Sequence, residues 1–218
     1  MHYIEQKLMD GFHIDNRPLL EYRPIKIKED QNRVWLSLGN TQVIAGLSIS
    51  EEEPMEKGKA NLIVNADFSP IAGKEYFQGP PTEQDLILAR LIDRALRSSN
   101  AIALEKHVID ENKVKSFYID VIVLEDDGNI LDASMLAVVK LLEKANLLER
   151  KPLYISFYKY KNIIFVDPTK EEEQISNAKI SIAIDGENIV SIQKDYGSFD
   201  ENEIEELIDL AFDLYKKL

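Results

Sequence analysis

A chain of 218 residues permits one large domain or two small ones and can bury a substantial core. With 39 acidic against 26 basic residues and a net charge of −13, a surface that binds nucleic acid or membrane over its whole extent is excluded, so any contact with RNA or DNA must be local. Cysteine is absent, which excludes a disulfide framework and thiolate chemistry.

The first ten residues, Met1 to Asp10, have neither the basic start nor the apolar run of a signal peptide. The most apolar stretch, 135–142, carries Lys140 and is too short to span a bilayer, so a cytoplasmic protein with no membrane contact is expected. Residues 33–38 and 41–49 read as a hairpin about Gly39-Asn40, because both residues tolerate positive φ. A strand at 60–66 follows. The Pro80-Pro81 pair then precedes Thr82-x-x-Asp85, a capping-box variant that opens a helix over about 83–99. At about 100° per residue, Arg90, Arg94 and Arg97 fall within roughly a 60° arc of this helix, with Leu88, Leu91, Ile92 and Ala95 pointing away. A polyanion at that face would account for the stripe. So would internal pairing, since Asp93 lies three residues from Arg90 and four from Arg97.

The second half repeats the order loosely. Residues 114–124 form a strand, Asp126-Asp127-Gly128-Asn129 a turn, and 133–145 a helix apolar almost all round and therefore buried on several sides. Strands follow at 153–158, 163–166, 180–184 and 189–192, the last two as a hairpin about Asp185-Gly186-Glu187-Asn188. A final helix opens at Asp200, with Ile204, Leu207, Ile208, Ala211, Leu214 and Tyr215 on one face. Hairpins with interspersed helices indicate an α+β fold with mixed sheets and packed helices. Without a linker or repeat, residues 1–218 read as a single domain.

The three histidines, His2, His13 and His107, are scattered, and no phosphate loop or dinucleotide fingerprint occurs, so neither a metal nor a cofactor is expected. Asp126 to Asn129 lacks the ligand spacing and closing Glu of a calcium loop and is read as a plain turn. The triplets Glu51-Glu52-Glu53 and Glu171-Glu172-Glu173 could supply carboxylates for chemistry, but adjacent acids are usually solvated loop residues.

Seven motifs in order resemble the RNase PH family. They are Gly11-x-x-Ile14-Asp15-x-Arg17; Glu21-Tyr22-Arg23-Pro24-Ile25; Leu38 to Gly46; Val64-Asn65-Ala66-x-Phe68-Ser69-Pro70; Gly79-Pro80-Pro81 through Arg97; Asp120 to Ala133; and Val166-Asp167-Pro168-Thr169-x-Glu171-Glu172-Glu173. Within the family the resemblance is to the catalytically inactive ring subunit of the archaeal exosome. It implies an RNase PH-like fold of the ribosomal protein S5 domain 2-like type. It also implies a setting of phosphorolytic RNA decay, in which phosphate attacks the last RNA linkage and a nucleoside diphosphate leaves.

That chemistry needs a phosphate pocket and a carboxylate pair near the scissile linkage. Aligned with active members, the pair falls on Glu173 and Lys179, and the second position has reversed charge. The phosphate-binding Thr-Arg pair falls on Ile130 and Leu131, which cannot donate, and Asp132 beside them is expected to repel phosphate. The resemblance therefore implies no catalytic residue in this chain, and a scaffold that contacts single-stranded RNA through Arg90, Arg94 and Arg97. Its implied partners are a catalytic RNase PH-like subunit, in a ring of three heterodimers, and an RNA-binding cap subunit. A stand-alone phosphate-dependent exoribonuclease with a divergent site is the alternative. A small-molecule-binding α+β protein is a third reading, from another class.

Overall fold

The computed structural model describes residues 2–218. Helix α1 (His2–Met9) leads into β1 (Ile25–Asp30), β2 (Arg33–Leu38), β3 (Thr41–Glu52) and β4 (Asn61–Phe68). Helix α2 (Glu83–Ser98), a 3-10 turn at Leu104–His107 and β5 (Val108–Asp110) precede the long β6 (Lys113–Glu125). Then come α3 (Ile130–Lys144), β7 (Leu153–Tyr160), β8 (Ile163–Val166), α4 (Lys170–Ile175), β9 (Ala178–Ile184), β10 (Ile189–Tyr196) and α5 (Glu201–Tyr215).

Six strands form the first sheet, in the order β1-β2-β3-β6-β4 with β5 on β6. All its pairs are antiparallel except β4 with β6, which is parallel because α2 carries the chain back across. The β2–β3 hairpin closes at Leu38 opposite Thr41, as its turn residues predict. Only Gly39 takes positive φ there, at +58°, and a Cβ on it would stand 2.5 Å from Cδ of Arg23. The second sheet, β10-β9-β7-β8, is antiparallel throughout.

Helix α3 lies between the sheets, against β2, β3 and β6 on one side and β7 on the other. Eleven of its fifteen residues are buried, which is why it carries apolar residues almost all round. Helix α5 covers the far face of the second sheet, setting Leu207, Ala211 and Leu214 against Ile155, Phe157, Ile180 and Ile182. That sheet is thus buried on both faces, and β7 and β9 accordingly read as near-continuous apolar runs.

The structure departs from the sequence expectation in three places. Helix α3 opens at Ile130 rather than Ala133: Asn129, at a left-handed φ of +55°, holds the N-cap position without a side-chain cap, and its carbonyl accepts from the Ala133 N–H. The triplet Glu171-Glu172-Glu173 is no solvated loop: Thr169 caps α4, and Glu172 is wholly buried. Helix α1 and the short strands β1 and β5 escaped the sequence patterns. Strand β1 alternates Ile with charged residues at an exposed edge and shows no apolar run.

Candidate nucleic-acid interface

The start of α2 is fixed by a full capping box. The Thr82 N–H donates to Asp85, and Asp85 also accepts from the Phe68 N–H at 2.8 Å, tying the helix to the end of β4. From this base α2 forms one wall of a cleft of about 940 Å³. Arg90 and Arg94, one turn apart, line that wall. Ile130 and Leu131 from α3, Glu173 from α4, Lys179 from β9 and Gln193 and Asp195 from β10 form the floor and far side.

The three stripe arginines have different surroundings. Arg90 makes no hydrogen bond or ion pair among the described residues, and Arg94 donates one bond to Gln193 Oε1 at 3.3 Å. Arg97 is self-paired: its Nε donates to both carboxylate oxygens of Asp93 at 2.9 Å, and Nη2 donates to the Leu62 carbonyl at 2.6 Å. It lines a recess beside Asn61 and Leu62 and, with Arg90 and Arg94, a shallow one of about 680 Å³ against β4, but not the large cleft. The internal pairing weighed for the whole stripe thus applies to one arginine, and two remain at the cleft.

The floor is compensated from within. Lys179 Nζ lies 3.3 Å from Glu173 Oε1 and 3.4 Å from Asp195 Oδ2, with only 15% of its side chain exposed. Burial opposes its charge, but the two carboxylates outweigh burial and hold its pKa above the ordinary lysine value. Glu173 also accepts from Tyr158 Oη at 3.0 Å and from the backbone N–H of Asn129 at 3.2 Å. That amide opens α3, where a helix terminus favours an anion, so the chain's own carboxylate fills the place. On the opposite wall Lys170 donates to Asp126 at 2.8 Å and to Glu75, beneath the Tyr76 ring.

Ile130 and Leu131 line the cleft and offer no donor from their side chains, as their position predicts. Asp132 corrects the expectation that it would repel phosphate. Its carboxylate points inward and accepts from Ser156 Oγ at 2.5 Å, Ser156 N at 3.0 Å and Tyr22 Oη at 2.9 Å. Burial dominates these bonds and raises its pKa to about 6.

Two further charged clusters support the site and were not singled out as such in the sequence. Arg23, 4% exposed, grips Asp167 bidentately at 2.8 and 3.0 Å and donates to the Asp127 and Gly128 carbonyls, fixing the turn that precedes α3. His13 Nδ1 lies 3.0 Å from Glu172 Oε2, both wholly buried, and the Ile14 N–H donates to Oε1 at 2.8 Å. The motifs containing Arg23 and His13 were visible, but only as resemblance; their partners lie more than 100 residues away.

Models of the 3′ exoribonuclease family match this chain twice, domain 1 over residues 21–145 and domain 2 over residues 152–213. The exosome complex component Rrp42 of Archaeoglobus fulgidus is 32% identical over 99% of this chain and 93% of its own length. The protein of the same name from Thermococcus onnurineus is 33% identical over 94% of this chain and 87% of its own. A chain of the Archaeoglobus fulgidus exosome, solved with RNA bound to the active site, superposes with a TM-score of 0.90 at 32% identity, covering 99% of this chain and 94% of that one.

Proposed function

The chain belongs to the 3′ exoribonuclease family, and from that premise we propose that it is an exosome ring subunit that contacts RNA without cutting it. The carrying observation is Lys179 between Glu173 and Asp195. Phosphorolysis needs phosphate held as nucleophile beside the linkage, with a cation or acid to meet the developing charge. In this cleft an ammonium group stands between the carboxylates, the amide that opens α3 already donates to Glu173, and Ile130 and Leu131 bring no donor side chain. The same cleft keeps Arg90 and Arg94 on its α2 wall, and Arg94 has one long bond. Guanidinium groups in that position suit the phosphates of a single strand.

Catalysis on this reading comes from a related RNase PH-like subunit that alternates with this chain in a ring of three heterodimers, with an RNA-binding cap above. Similarity to exosome components over nearly the whole chain supports that assembly. Residues 1–218 act as one folded unit in it, and the working place is the cytoplasm. No helix among the described residues is long and apolar enough to cross a membrane.

The test is phosphate-dependent release of nucleoside diphosphate from a labelled oligoribonucleotide by this chain alone, by its catalytic relative, and by the mixture. The chain alone should release none, and the mixture should exceed the relative alone. Robust turnover by the purified chain would overturn the reading and favour a stand-alone phosphorolytic enzyme.

A further inference from the structure

Between β4 and α2 the chain runs from residue 69 to residue 82 with no helix or strand. A connection of that length inside a compact domain is more often functional than idle. Its first half is firmly held. The Ser69 N–H donates to the Val123 carbonyl at 3.0 Å, and the Ala72 carbonyl accepts from the Asp126 N–H at 3.1 Å. Tyr76 is the main anchor: its hydroxyl donates to Asp126 Oδ2 at 2.6 Å, and its ring stacks on Phe68 with centroids 4.8 Å apart. Lys170, which also holds Glu75, lies 5.4 Å from the centre of the same ring. The far end is fixed where the Thr82 N–H donates to Asp85.

Phe77 falls between these anchors and engages neither. It is 78% exposed, more than any other large apolar side chain among the described residues. Among those residues it stacks on no other ring and lies under no lysine or arginine. A single exposed apolar residue is ordinary. The place of this one is not: Glu75 and Tyr76, just before it, line the large cleft, as do Arg90 and Arg94 on the helix into which the same loop leads.

We infer that Phe77 is a stacking platform at the mouth of the cleft, taking one base of a single RNA strand whose phosphates meet Arg90 and Arg94. The inference rests on the RNA-contact reading above and adds a base contact to its phosphate contacts. Sites for single strands combine a cationic track for the backbone with aromatic faces for the bases. The two arginines supply the track, one turn apart on α2. Phe68 and Tyr76 cannot supply the face, because they stack on each other and Tyr76 also carries Lys170. Phe77 can. Lys74, Glu75 and Gln78 flank it and are all exposed, which suits a solvated strand better than the apolar core of a protein interface. Every base has a π-face, so the platform senses whether a base is present and not which base it is.

The test measures RNA binding by the chain in complex with its catalytic relative, with phosphate left out so that the strand stays intact. A fluorescent purine analogue, moved one position at a time along an oligoribonucleotide, finds the base that the complex quenches most. Phe77→Ala should abolish that quenching and weaken binding about tenfold, and Phe77→Trp should preserve both. The salt slope should stay the same in Phe77→Ala, because a neutral contact releases no counterion. A strand lacking the base at the quenched position should bind the natural complex about tenfold more weakly, with no further loss on Phe77→Ala. Unchanged affinity in Phe77→Ala, beside a lowered salt slope in the Arg90→Ala and Arg94→Ala double variant, would overturn the inference and leave the RNA reading standing. Unaltered RNA binding in both would overturn the two together. A Phe77→Ala chain that folds by circular dichroism but no longer joins its relative would assign the side chain to a protein contact and overturn the inference.

Discussion

The Lys179 ammonium sits 3.3 Å from the Glu173 carboxylate, six residues back along the chain, and 3.4 Å from Asp195 on the neighbouring strand. An internal cation therefore stands between two acids that line an open cleft. On the proposed reading Lys179 is one obstacle to phosphorolysis, and the aliphatic side chains at Ile130 and Leu131 on the same floor are a second.

Reversing one obstacle should not restore chemistry. Lys179→Asp would crowd three carboxylates in a largely buried site, and the loss of the paired cation should cost roughly 3 kcal/mol of stability. Thermal unfolding should show the variant markedly less stable, and chromatography should detect no nucleoside diphosphate. Turnover by this single variant would mean that Ile130 and Leu131 are no barrier.

The stripe arginines should separate by salt dependence. In the assembled ring, Arg90→Ala with Arg94→Ala should lower the salt slope of RNA binding by roughly 0.7–1.4 units, about 0.7 for each phosphate that an arginine no longer neutralises. Arg97→Ala should leave that slope unchanged and cost at most about 1 kcal/mol, because its partners are Asp93 and the Leu62 carbonyl. Affinities at four salt concentrations, beside thermal unfolding, measure both. An unchanged slope in the double variant would make the cleft arginines structural.

Asp132 should leave a signature in pH. Its carboxyl is raised by burial from the ordinary 3.8 to about 6 in the native chain. Between those values the unfolded chain releases a proton that the folded chain keeps, so native stability falls as pH rises through the window, by up to about 3 kcal/mol, and levels off above it. Asp132→Asn removes this titration. The melting temperature of the natural chain minus that of the variant should therefore decrease between about pH 4 and pH 6 and stay flat at higher pH. A constant difference would show that Asp132 is ionised throughout.

The two sheets should unfold together. One apolar cluster joins Val34, Leu36 and Val123 of the first sheet to α3 and to Leu153, Tyr154 and Ala183 of the second. Denaturant transitions followed by Trp35 emission, which reports on the first sheet, and by amide exchange in β7 and β9 should coincide. Two separated transitions would divide the chain near residue 150.

Regular elements were legible wherever apolar period and turn chemistry agreed. Gly39-Asn40 marked its hairpin, Thr82 and Asp85 marked the start of α2, and Asp200 marked α5. The all-round apolar pattern of 135–139 likewise foretold a helix held between two layers. Elements of low apolar content escaped. Helix α4 looks like an acidic loop because its role is polar: Glu172 caps the helix and also takes up His13 from the other end of the chain.

The cleft was legible in part. Arg90, Arg94, Glu173, Lys179, Ile130 and Leu131 do share one cavity, although they come from four elements. Position along a helix could not divide Arg97 from its neighbours, since its fate depends on the Leu62 carbonyl of an adjacent strand. Nor could sequence show that Asp132 turns inward, because that depends on Ser156 lying beneath the first turn of α3. Asp195 was missed altogether, as it sits past the end of the apolar run that marked β10.

Strand β4 has one hydrogen-bonded neighbour in the fold, β6, whose Ser116 pairs with Asn61 across 55 residues. During synthesis at about 5–20 residues per second, that spacing leaves Leu62, Ile63 and Val64 without their strand partner for roughly 3–11 s after they are made. The β1–β3 meander can close early from local contacts, but its β3 edge also waits for β6. The nascent chain thus carries two unsatisfied strand edges over the same interval. The rate at which the ribosome translates residues 68–123 sets how long they remain open to wrong partners. Slow codons placed before residue 41 would leave that exposure unchanged, whereas the same codons between β4 and β6 would lengthen it for both edges.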